Sequence, residues 1–160
     1  MTEERTLVLI KPDGLYKSLT GNIITTLSET KLKIIGAKIV KVSRKLAEAH
    51  YNDLRDKLIK KFGEEEGIKI FESTLEYLQG KFHTDRVFAL VYKGEDAVKK
   101  VRELVGETNP EKASPISIRG KYGRINSQTK VLETAVHCSD SQENAKREIA
   151  LWFKEDEIVE

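Results

Sequence analysis

Several features of exported and membrane proteins are missing from this sequence. It has a single cysteine, Cys138, so no disulfide can form within one chain. The stretch from Met1 to Arg5 has neither the basic start nor the apolar core of a signal peptide. No apolar run approaches the roughly 18 residues that a membrane-spanning helix needs. We therefore expect a cytoplasmic protein with no membrane partner.

The chain also lacks a strong net charge. Its 28 basic and 26 acidic side chains leave a formal charge of +2, which gives no overall field for attracting a polyanion such as duplex DNA. Any anion site must therefore be local, and no nucleic acid partner is required. Hydrophobic residues make up 39% and charged residues 34% of the chain, a balance typical of folded proteins. At this length we expect a single domain over residues 1–160.

Neither glycine-rich nucleotide-binding pattern, Gly-x-x-x-x-Gly-Lys-Ser/Thr or Gly-x-Gly-x-x-Gly, occurs in the sequence. If a phosphate is bound, side chains must hold it. Candidates stand where a strand or helix gives way to a loop: Lys11, Arg102, Thr108 and Arg119. The two arginines, each taken alone, are also compatible with solvated surface charges. Lys11 differs because it closes an apolar strand, and a desolvated ammonium needs an anionic partner in the protein or in a ligand.

Hydrophobic periodicity alternates between strand and helix along the chain. Thr6 to Ile10 is apolar and β-branched, ends at a Pro-Asp-Gly turn signal, and predicts a buried central strand. Three further strands are predicted at Lys33 to Ser43, Val87 to Tyr92 and Glu133 to His137. Helices are predicted after Asn22, from Arg44 to Phe82 with breaks at Gly63 and Gly67, from Ala97 to Val105, and from Gln142 to Phe153. Residues 107–130 are polar and are expected to be irregular.

This order predicts an α+β protein with the ferredoxin-like βαββαβ arrangement. In that arrangement we expect an antiparallel sheet with helices packed on one face. A longer helical insertion is expected around residues 60–85.

His137 ends the last predicted strand, shortly before the closing helix. In β geometry Ser139 lies on the same side of the chain as His137, while Cys138 points away. Glu148 borders the apolar side of the helix, close enough to the core to need a hydrogen-bond donor such as an imidazole N–H. A carboxylate on one ring nitrogen fixes the tautomer and leaves the other nitrogen free as a nucleophile.

Purely structural roles remain open for these residues. His137 is also compatible with a histidine that is simply hydrogen-bonded inside the fold. A lone cysteine on a strand, such as Cys138, is more often a small buried residue than a nucleophile. His50 and His83 lie in polar, helical surroundings, and we assign them no role.

Five blocks of sequence resemble the nucleoside diphosphate kinase family in order and approximate spacing. They are Glu4 to Gly14, Gly106 to Pro110, Ile118 to Gly120, His137 to Ser141, and Glu148 to Phe153. The most specific feature is a histidine followed by a serine two positions later and a glutamate eleven positions later. The resemblance covers most of the chain outside residues 60–85 and two loops.

The resemblance implies a phosphotransferase that moves the γ-phosphoryl group from a nucleoside triphosphate such as ATP to a diphosphate such as ADP, in a ping-pong reaction. His137 would be the phosphorylated nucleophile, oriented by Glu148 and assisted by Ser139. The nucleotide would be bound by Lys11, Tyr51, Arg102, Thr108, Arg119, Val131 and Thr134. Mg²⁺ would enter with the phosphates, with no metal site of the protein's own. The family also implies a homo-oligomer, either a tetramer or a hexamer.

The sequence departs from the family at several positions. The family usually has asparagine at the position of Thr134, where it binds the ribose, and a hydroxyl has a shorter reach. The helix that usually supplies a phenylalanine to stack on the base is replaced by a longer stretch, in which Phe62, Phe71 or neither does this. Asp85-Arg86 and Ile116 replace the family's Gly-Pro and a glycine, so two loops are expected to follow altered paths.

Two alternatives to an active kinase remain. An RNA-binding module shares the βαββαβ order, and the segment from Arg119 to Arg124 loosely resembles loops that clamp RNA. That module needs an aromatic strand face, whereas the third predicted strand offers only Phe88 and Tyr92. A catalytically silent relative of the kinase family is the other alternative.

Overall fold

The apolar run near the start of the chain forms the centre of the sheet. In the computed structural model, which describes residues 2–160, β1 (Glu3–Ile10) pairs antiparallel with β3 (Val87–Glu95) and with β6 (Val136–Cys138). β2 (Lys33–Val40) pairs with the other side of β3 and forms an edge, so the strand order is β2-β3-β1-β6. This order and the antiparallel pairing agree with the predicted ferredoxin-like arrangement.

Eight helices accompany these strands within residues 2–160. They are α1 (Pro12–Tyr16), α2 (Thr20–Ser28), α3 (Arg44–His50), α4 (Leu54–Phe62), α5 (Glu64–Leu78), α6 (Ala97–Val105), α7 (Ile118–Tyr122) and α8 (Gln142–Trp152). A small second sheet pairs β4 (Arg124–Ile125) with β5 (Leu132–Glu133), and a 3-10 turn, Glu155–Glu157, follows α8. None of the helices in this part of the chain is both long and apolar enough to cross a bilayer.

Helices cover both faces of the main sheet. On one face Leu7 and Leu9 belong to a core with residues of α5 and α8, and on the other Val8 and Ile10 belong to a core with residues of α2 and α6. All four side chains are fully buried. The expectation of a single covered face was therefore wrong. The uninterrupted apolar run of β1 has no polar side to expose, as in sheets that are buried on both faces.

The last predicted strand is divided in two. β5 ends at Glu133 and β6 begins at Val136, and Ala135 between them has a φ of 62°, a left-handed conformation in which a strand cannot continue. β5 turns away from the main sheet to pair with β4, within and beside the segment that was expected to be irregular. The break also lets the Lys11 amide donate to the carbonyl of Ala135 at 2.8 Å, which joins the ends of β1 and β6.

The helical insertion is a hairpin of α4 and α5. Gly63, with a φ of 88°, separates the two helices. Gly67, predicted as a second break, lies inside α5, where an added Cβ would come within 2.6 Å of the Ile59 backbone. α5 packs Phe71 and Leu75 into the core, whereas α4 has no buried residue. α4 is therefore held mainly by its partner helix and forms an outer wall.

Candidate active site

Two adjoining cavities lie beside the ends of β1 and β6. The larger has a volume of about 700 Å³ and the smaller about 220 Å³. Four residues line both cavities: Tyr51, Thr108, Arg119 and His137. Lys11 and Thr134 line only the larger cavity, and Arg102 and Glu148 line only the smaller of the two. Residues that are far apart in sequence are thus brought together around one space.

His137 and Glu148 form the central contact of the site. β6 carries His137, and α8 places Glu148 beside it. The imidazole Nε2 lies 3.0 and 2.9 Å from the two carboxylate oxygens, so we assign the hydrogen to Nε2, which donates it to Glu148. Within residues 2–160, no hydrogen bond involves Nδ1 of His137. Its lone pair is therefore free to act as a nucleophile.

The surroundings of His137 keep its imidazole neutral. Burial, followed by the charges of Arg119 and Lys11, lowers the pKa of His137 to about 3. Burial also raises the pKa of the Glu148 carboxyl. A neutral ring that donates Nε2–H to a buried carboxylate has the protonation state that a nitrogen nucleophile needs, because a protonated ring has no free lone pair.

Ser139 supports Glu148 from inside the fold. It is fully buried, its amide donates to the Leu7 carbonyl at 3.2 Å, and its Oγ accepts from the Leu7 amide at 3.3 Å. Its hydroxyl opposes the rise in the pKa of the Glu148 carboxyl that burial causes. Cys138, the next residue back along β6, points into the core beneath α2 and α6, as strand geometry predicts. Burial raises the pKa of its thiol. It is therefore a poor nucleophile.

Lys11 stands at the N-cap of α1, because the Pro-Asp-Gly segment opens this short helix instead of forming the predicted turn. Its Nζ donates to the Leu132 carbonyl at 3.1 Å and to Thr134 Oγ1 at 3.0 Å. Burial lowers the pKa of Lys11 to about 8, against the opposing effect of Asp13. Within residues 2–160, no salt bridge includes Lys11. The ammonium is desolvated, as predicted, but has no carboxylate in direct contact, so it is available to an anion.

Arg119 comes from α7, inside the segment that was expected to be irregular. Its guanidinium donates to the Val136 carbonyl at 3.3 and 3.2 Å and to the Gly106 carbonyl at 3.2 Å. The side chain is buried, and burial lowers its pKa, although a guanidinium stays protonated in proteins. Arg119 is therefore not a solvated surface charge. It ties β6 to the loop after α6 and places a positive charge beside His137.

The other predicted nucleotide contacts differ in how they face the two cavities. Tyr51 lines both cavities as a neutral phenol, because burial raises its pKa. Thr134 faces the larger cavity, but its hydroxyl already accepts from Lys11 and donates to the Val136 carbonyl at 3.4 Å. Val131 is 1% exposed and is not among the lining residues, whereas its neighbour Leu132 is. A direct role for Val131 therefore stays a prediction.

The sequence analysis missed His50, which lies directly against His137. The two rings meet edge to face with 4.5 Å between their centroids. Trp152 Nε1 donates to Nδ1 of His50 at 3.1 Å, which places the hydrogen of His50 on Nε2. Burial lowers the pKa of His50 well below its usual value, so this ring is also neutral. No local pattern could have found the contact, because α3 and β6 meet only through the tertiary fold.

The donor groups do not favour a metal ion held by the protein alone. Within residues 2–160, the three potential ligands that lie close together are those of His50, His137 and Glu148, within 4.8 Å of one another. They already hold each other or Trp152 by hydrogen bonds. The larger cavity is lined by one carboxylate and four cationic side chains: Glu111 against Lys11, Lys61, Arg119 and Lys130. Such a lining suits an anion that brings its own cation.

The far side of the larger cavity is apolar. Its lining comes from the helical hairpin and the small sheet: Leu54, Leu58, Phe62, Ile70, Ile125 and Leu132. Phe62 is 42% exposed, whereas Phe71 is buried in the core. Of the two candidates for stacking on a base, only Phe62 is therefore placed where it can touch a ligand.

Similarity to known proteins agrees with this geometry. The family model described as nucleoside diphosphate kinase matches residues 4–158. The chain belongs to the nucleoside diphosphate kinase family. A nucleoside diphosphate kinase of Bacillus licheniformis is 40% identical over 157 residues, which cover 98% of this chain and 93% of the relative.

Solved nucleoside diphosphate kinases have the same fold as this chain. A transition state mimic of the Borrelia burgdorferi enzyme, with bound vanadate and ADP, has a TM-score of 0.83 at 29% identity, covering 99% of this chain and 91% of that chain. That of Halobacterium salinarum, in complex with CDP, has a TM-score of 0.81 at 34% identity, covering 99% and 93%. The predicted ferredoxin-like fold and the phosphotransferase class are thereby confirmed.

Proposed function

We propose that this nucleoside diphosphate kinase carries the γ-phosphoryl group on Nδ1 of His137, between a triphosphate donor and a diphosphate acceptor. The observation that carries the proposal is the hydrogen bond from Nε2 of His137 to the buried Glu148 carboxylate. That contact leaves Nδ1 with a free lone pair in a side chain that lines both cavities. Relatives that bind ADP and CDP support nucleotides such as ATP and ADP as substrates.

The two half-reactions balance without an external base. In the first, the Nδ1 lone pair forms an N–P bond, and the bond to the β,γ-bridging oxygen breaks with its electron pair on the leaving diphosphate. Nε2 keeps its hydrogen, and the Glu148 carboxylate stabilises the positive charge that the phosphorylated ring acquires. In the second, a terminal oxygen of the acceptor attacks phosphorus and the N–P bond breaks. The neutral imidazole is restored.

The cationic side chains around the cavities supply most of the remaining chemistry. Lys11 and Arg119 stand beside His137, and Arg102 lines the smaller cavity. Hydrogen bonds fix the charges of Lys11 and Arg119 in place. These two charges can therefore offset the negative charge of the transferring group without reorganisation, which is the main task in phosphoryl transfer. Arg102 is exposed on α6 and adds a further positive charge. Mg²⁺ carried in by the nucleotide would add to this neutralisation of the phosphate charge. The hydroxyl of the half-buried Tyr51 offers a neutral donor at the same place.

The RNA-binding alternative loses support at the strand face it would need. Tyr92 is 2% exposed and packs in the core beneath α2 and α6. A base cannot stack on a ring in that position. The near-neutral charge of the chain also disfavours a polyanion ligand. These observations favour the enzyme.

Assembly and location belong to the same proposal. We expect a homo-oligomer, a tetramer or hexamer, as implied by the family. β2 is an edge strand whose Ile34 and Ile39 are 47% and 54% exposed, a feature that proteins usually cover. Light scattering on the purified protein would test this, and a monomer at micromolar concentration would contradict it. A cytoplasmic location is the corresponding expectation in cells.

Incubation with γ-labelled ATP and Mg²⁺ tests the function directly. The protein should take up label that survives base, is lost in acid, and passes to an added diphosphate. His137→Ala should take up none, and label retained by that variant would refute the assignment. A catalytically silent relative would bind the nucleotide and take up no label at all.

A further inference from the structure

Tyr77, on the last turn of α5, reaches from the helical insertion to the first turn of α1, where Lys11 is the N-cap. Its side chain is fully buried, and its hydroxyl donates to Oδ1 of Asp13. The other carboxylate oxygen, Oδ2, accepts from the Ala135 amide at 2.9 Å. Asp13 is itself fully buried. Its two oxygens are thus occupied by donors that carry no net charge.

The same tyrosine also contacts the ammonium of Lys11. Nζ lies 5.1 Å from the centroid of the Tyr77 ring, within the range of a cation–π interaction. The hydrogen bonds of Nζ go to Leu132 and Thr134, so within residues 2–160 the hydrogen-bond and cation–π partners of this cation are neutral. Asp13 is near enough to act on Lys11 electrostatically but is not in a salt bridge with it.

We propose that Tyr77 is a positioning residue for phosphoryl transfer, which holds Asp13 away from Lys11 and leaves the ammonium directed at the nucleotide phosphates. Without the hydroxyl, Asp13 would have a free buried oxygen, and Lys11 is the nearby cation that could satisfy it. The resulting ion pair would occupy the ammonium. This inference rests on the proposed function and gives the helical insertion a part in the chemistry.

Substitution of Tyr77 by phenylalanine isolates the hydroxyl, since the ring over Lys11 is kept. Tyr92→Phe is the matched control. Tyr92 is also buried, but its hydroxyl has no hydrogen-bond partner within residues 2–160, and it lies in the core on the other face of the sheet. Steady-state kcat and KM for the diphosphate would be measured across pH, together with thermal unfolding.

Tyr77→Phe should lower kcat/KM by about tenfold or more, mainly through a higher KM, as expected when a charged group is diverted from its ligand. The basic limb of the kcat/KM profile should move to higher pH, because an ion pair with Asp13 retains the proton on Lys11. Other titratable or charged groups around this pair are Glu133 on β5, Arg119 on α7, Tyr51 after α3, and His83 beside Tyr77. These groups are the same in the wild-type and Tyr77→Phe enzymes. Tyr92→Phe should show neither the fall in kcat/KM nor the shift of the basic limb.

A second background separates positioning from general damage. In Asp13→Asn the competing charge is absent, so the double variant Asp13→Asn/Tyr77→Phe should have the KM of Asp13→Asn alone. A Tyr77→Phe enzyme with wild-type kinetics, an unshifted basic limb, or an additive loss in the double variant would overturn the proposal. Failure of the proposed function itself would look different, because the wild-type enzyme would then take up no label from ATP.

Discussion

The two ends of the larger cavity differ in how their side chains are held. At the catalytic end, Lys11, Arg119 and His137 are each fixed by hydrogen bonds to buried partners. At the hairpin end, the wall is apolar and is formed partly by α4, which has no buried residue. Under the proposed function, we therefore expect phosphoryl transfer to depend on the rigid frame, and recognition of the base to depend on a surface that makes few directional contacts. Variants at the two ends should therefore change different kinetic constants.

The largest effect is expected from Glu148→Gln at the catalytic end. An amide can donate to Nε2 of His137 and so favour the tautomer with hydrogen on Nδ1, which removes the nucleophilic lone pair. The rate of phosphorylation by ATP should fall by about 100-fold or more. Glu143→Gln, an exposed change on the same helix, serves as the control. Wild-type single-turnover rates in Glu148→Gln would show that the carboxylate does not set the tautomer.

Lys11→Met should separate activity from stability. The folded-state pKa of Lys11 is about 8, below the ordinary value of 10.5, so the unfolded chain binds more protons between these two pH values. Stability therefore rises with pH through that window. Below the window, the destabilisation caused by burying the charged ammonium is fully present. At pH 7 the variant should be more stable than wild type by roughly 1 to 3 kcal/mol, while kcat/KM falls by about 100-fold.

Denaturant unfolding at pH 7 and pH 10 would measure the stability effect, with the exposed Lys17→Met as the control. The advantage of Lys11→Met should shrink as the pH rises. A variant that is less stable than wild type at pH 7 would contradict the assignment of a buried, charged lysine.

His50→Phe tests how much the hydrogen bond from Trp152 to His50 contributes to stability. It keeps a ring against His137 but leaves the buried Trp152 N–H without its acceptor, which should cost roughly 1 to 3 kcal/mol in the free energy of unfolding. His50→Gln keeps an acceptor and should lose less stability. Equal losses in the two variants would mean that the Trp152 hydrogen bond contributes little.

The smallest effect is expected at the hairpin end. Phe62→Ala should raise the KM for the diphosphate by about fivefold, the size of a weak base–aromatic stacking contact, and leave kcat nearly unchanged. Phe82→Ala removes a ring of similar exposure, 41% against 42%, outside the cavities. A large fall in kcat for Phe62→Ala would remove the contrast between the two ends.

Much of the catalytic end could be predicted from the sequence because its signals are local. An uninterrupted apolar strand leads into Lys11, and a strand followed by an amphipathic helix places His137 and Glu148 next to each other. The predicted nucleophile and its orienting carboxylate do lie in contact. The burial of Arg119 was harder to predict from the sequence, because its partners are carbonyls of Gly106 and Val136 that meet only after folding.

Other features had no local signal. The left-handed Ala135, which divides the last strand, is not a residue that favours this conformation, so only the tertiary path requires it. Gly67 was predicted as a helix break, but it lies inside α5 and allows α4 and α5 to approach closely. The contact of His50 with His137 and the reach of Tyr77 to Asp13 are likewise set by packing between distant segments.

Phosphorus and nitrogen NMR of the phosphorylated enzyme would test the central claim most directly. We expect one phosphohistidine, with phosphorus bonded to Nδ1 of His137 and hydrogen retained on Nε2 beside Glu148. A phosphoryl group on Nε2, or on any other side chain, would contradict the account.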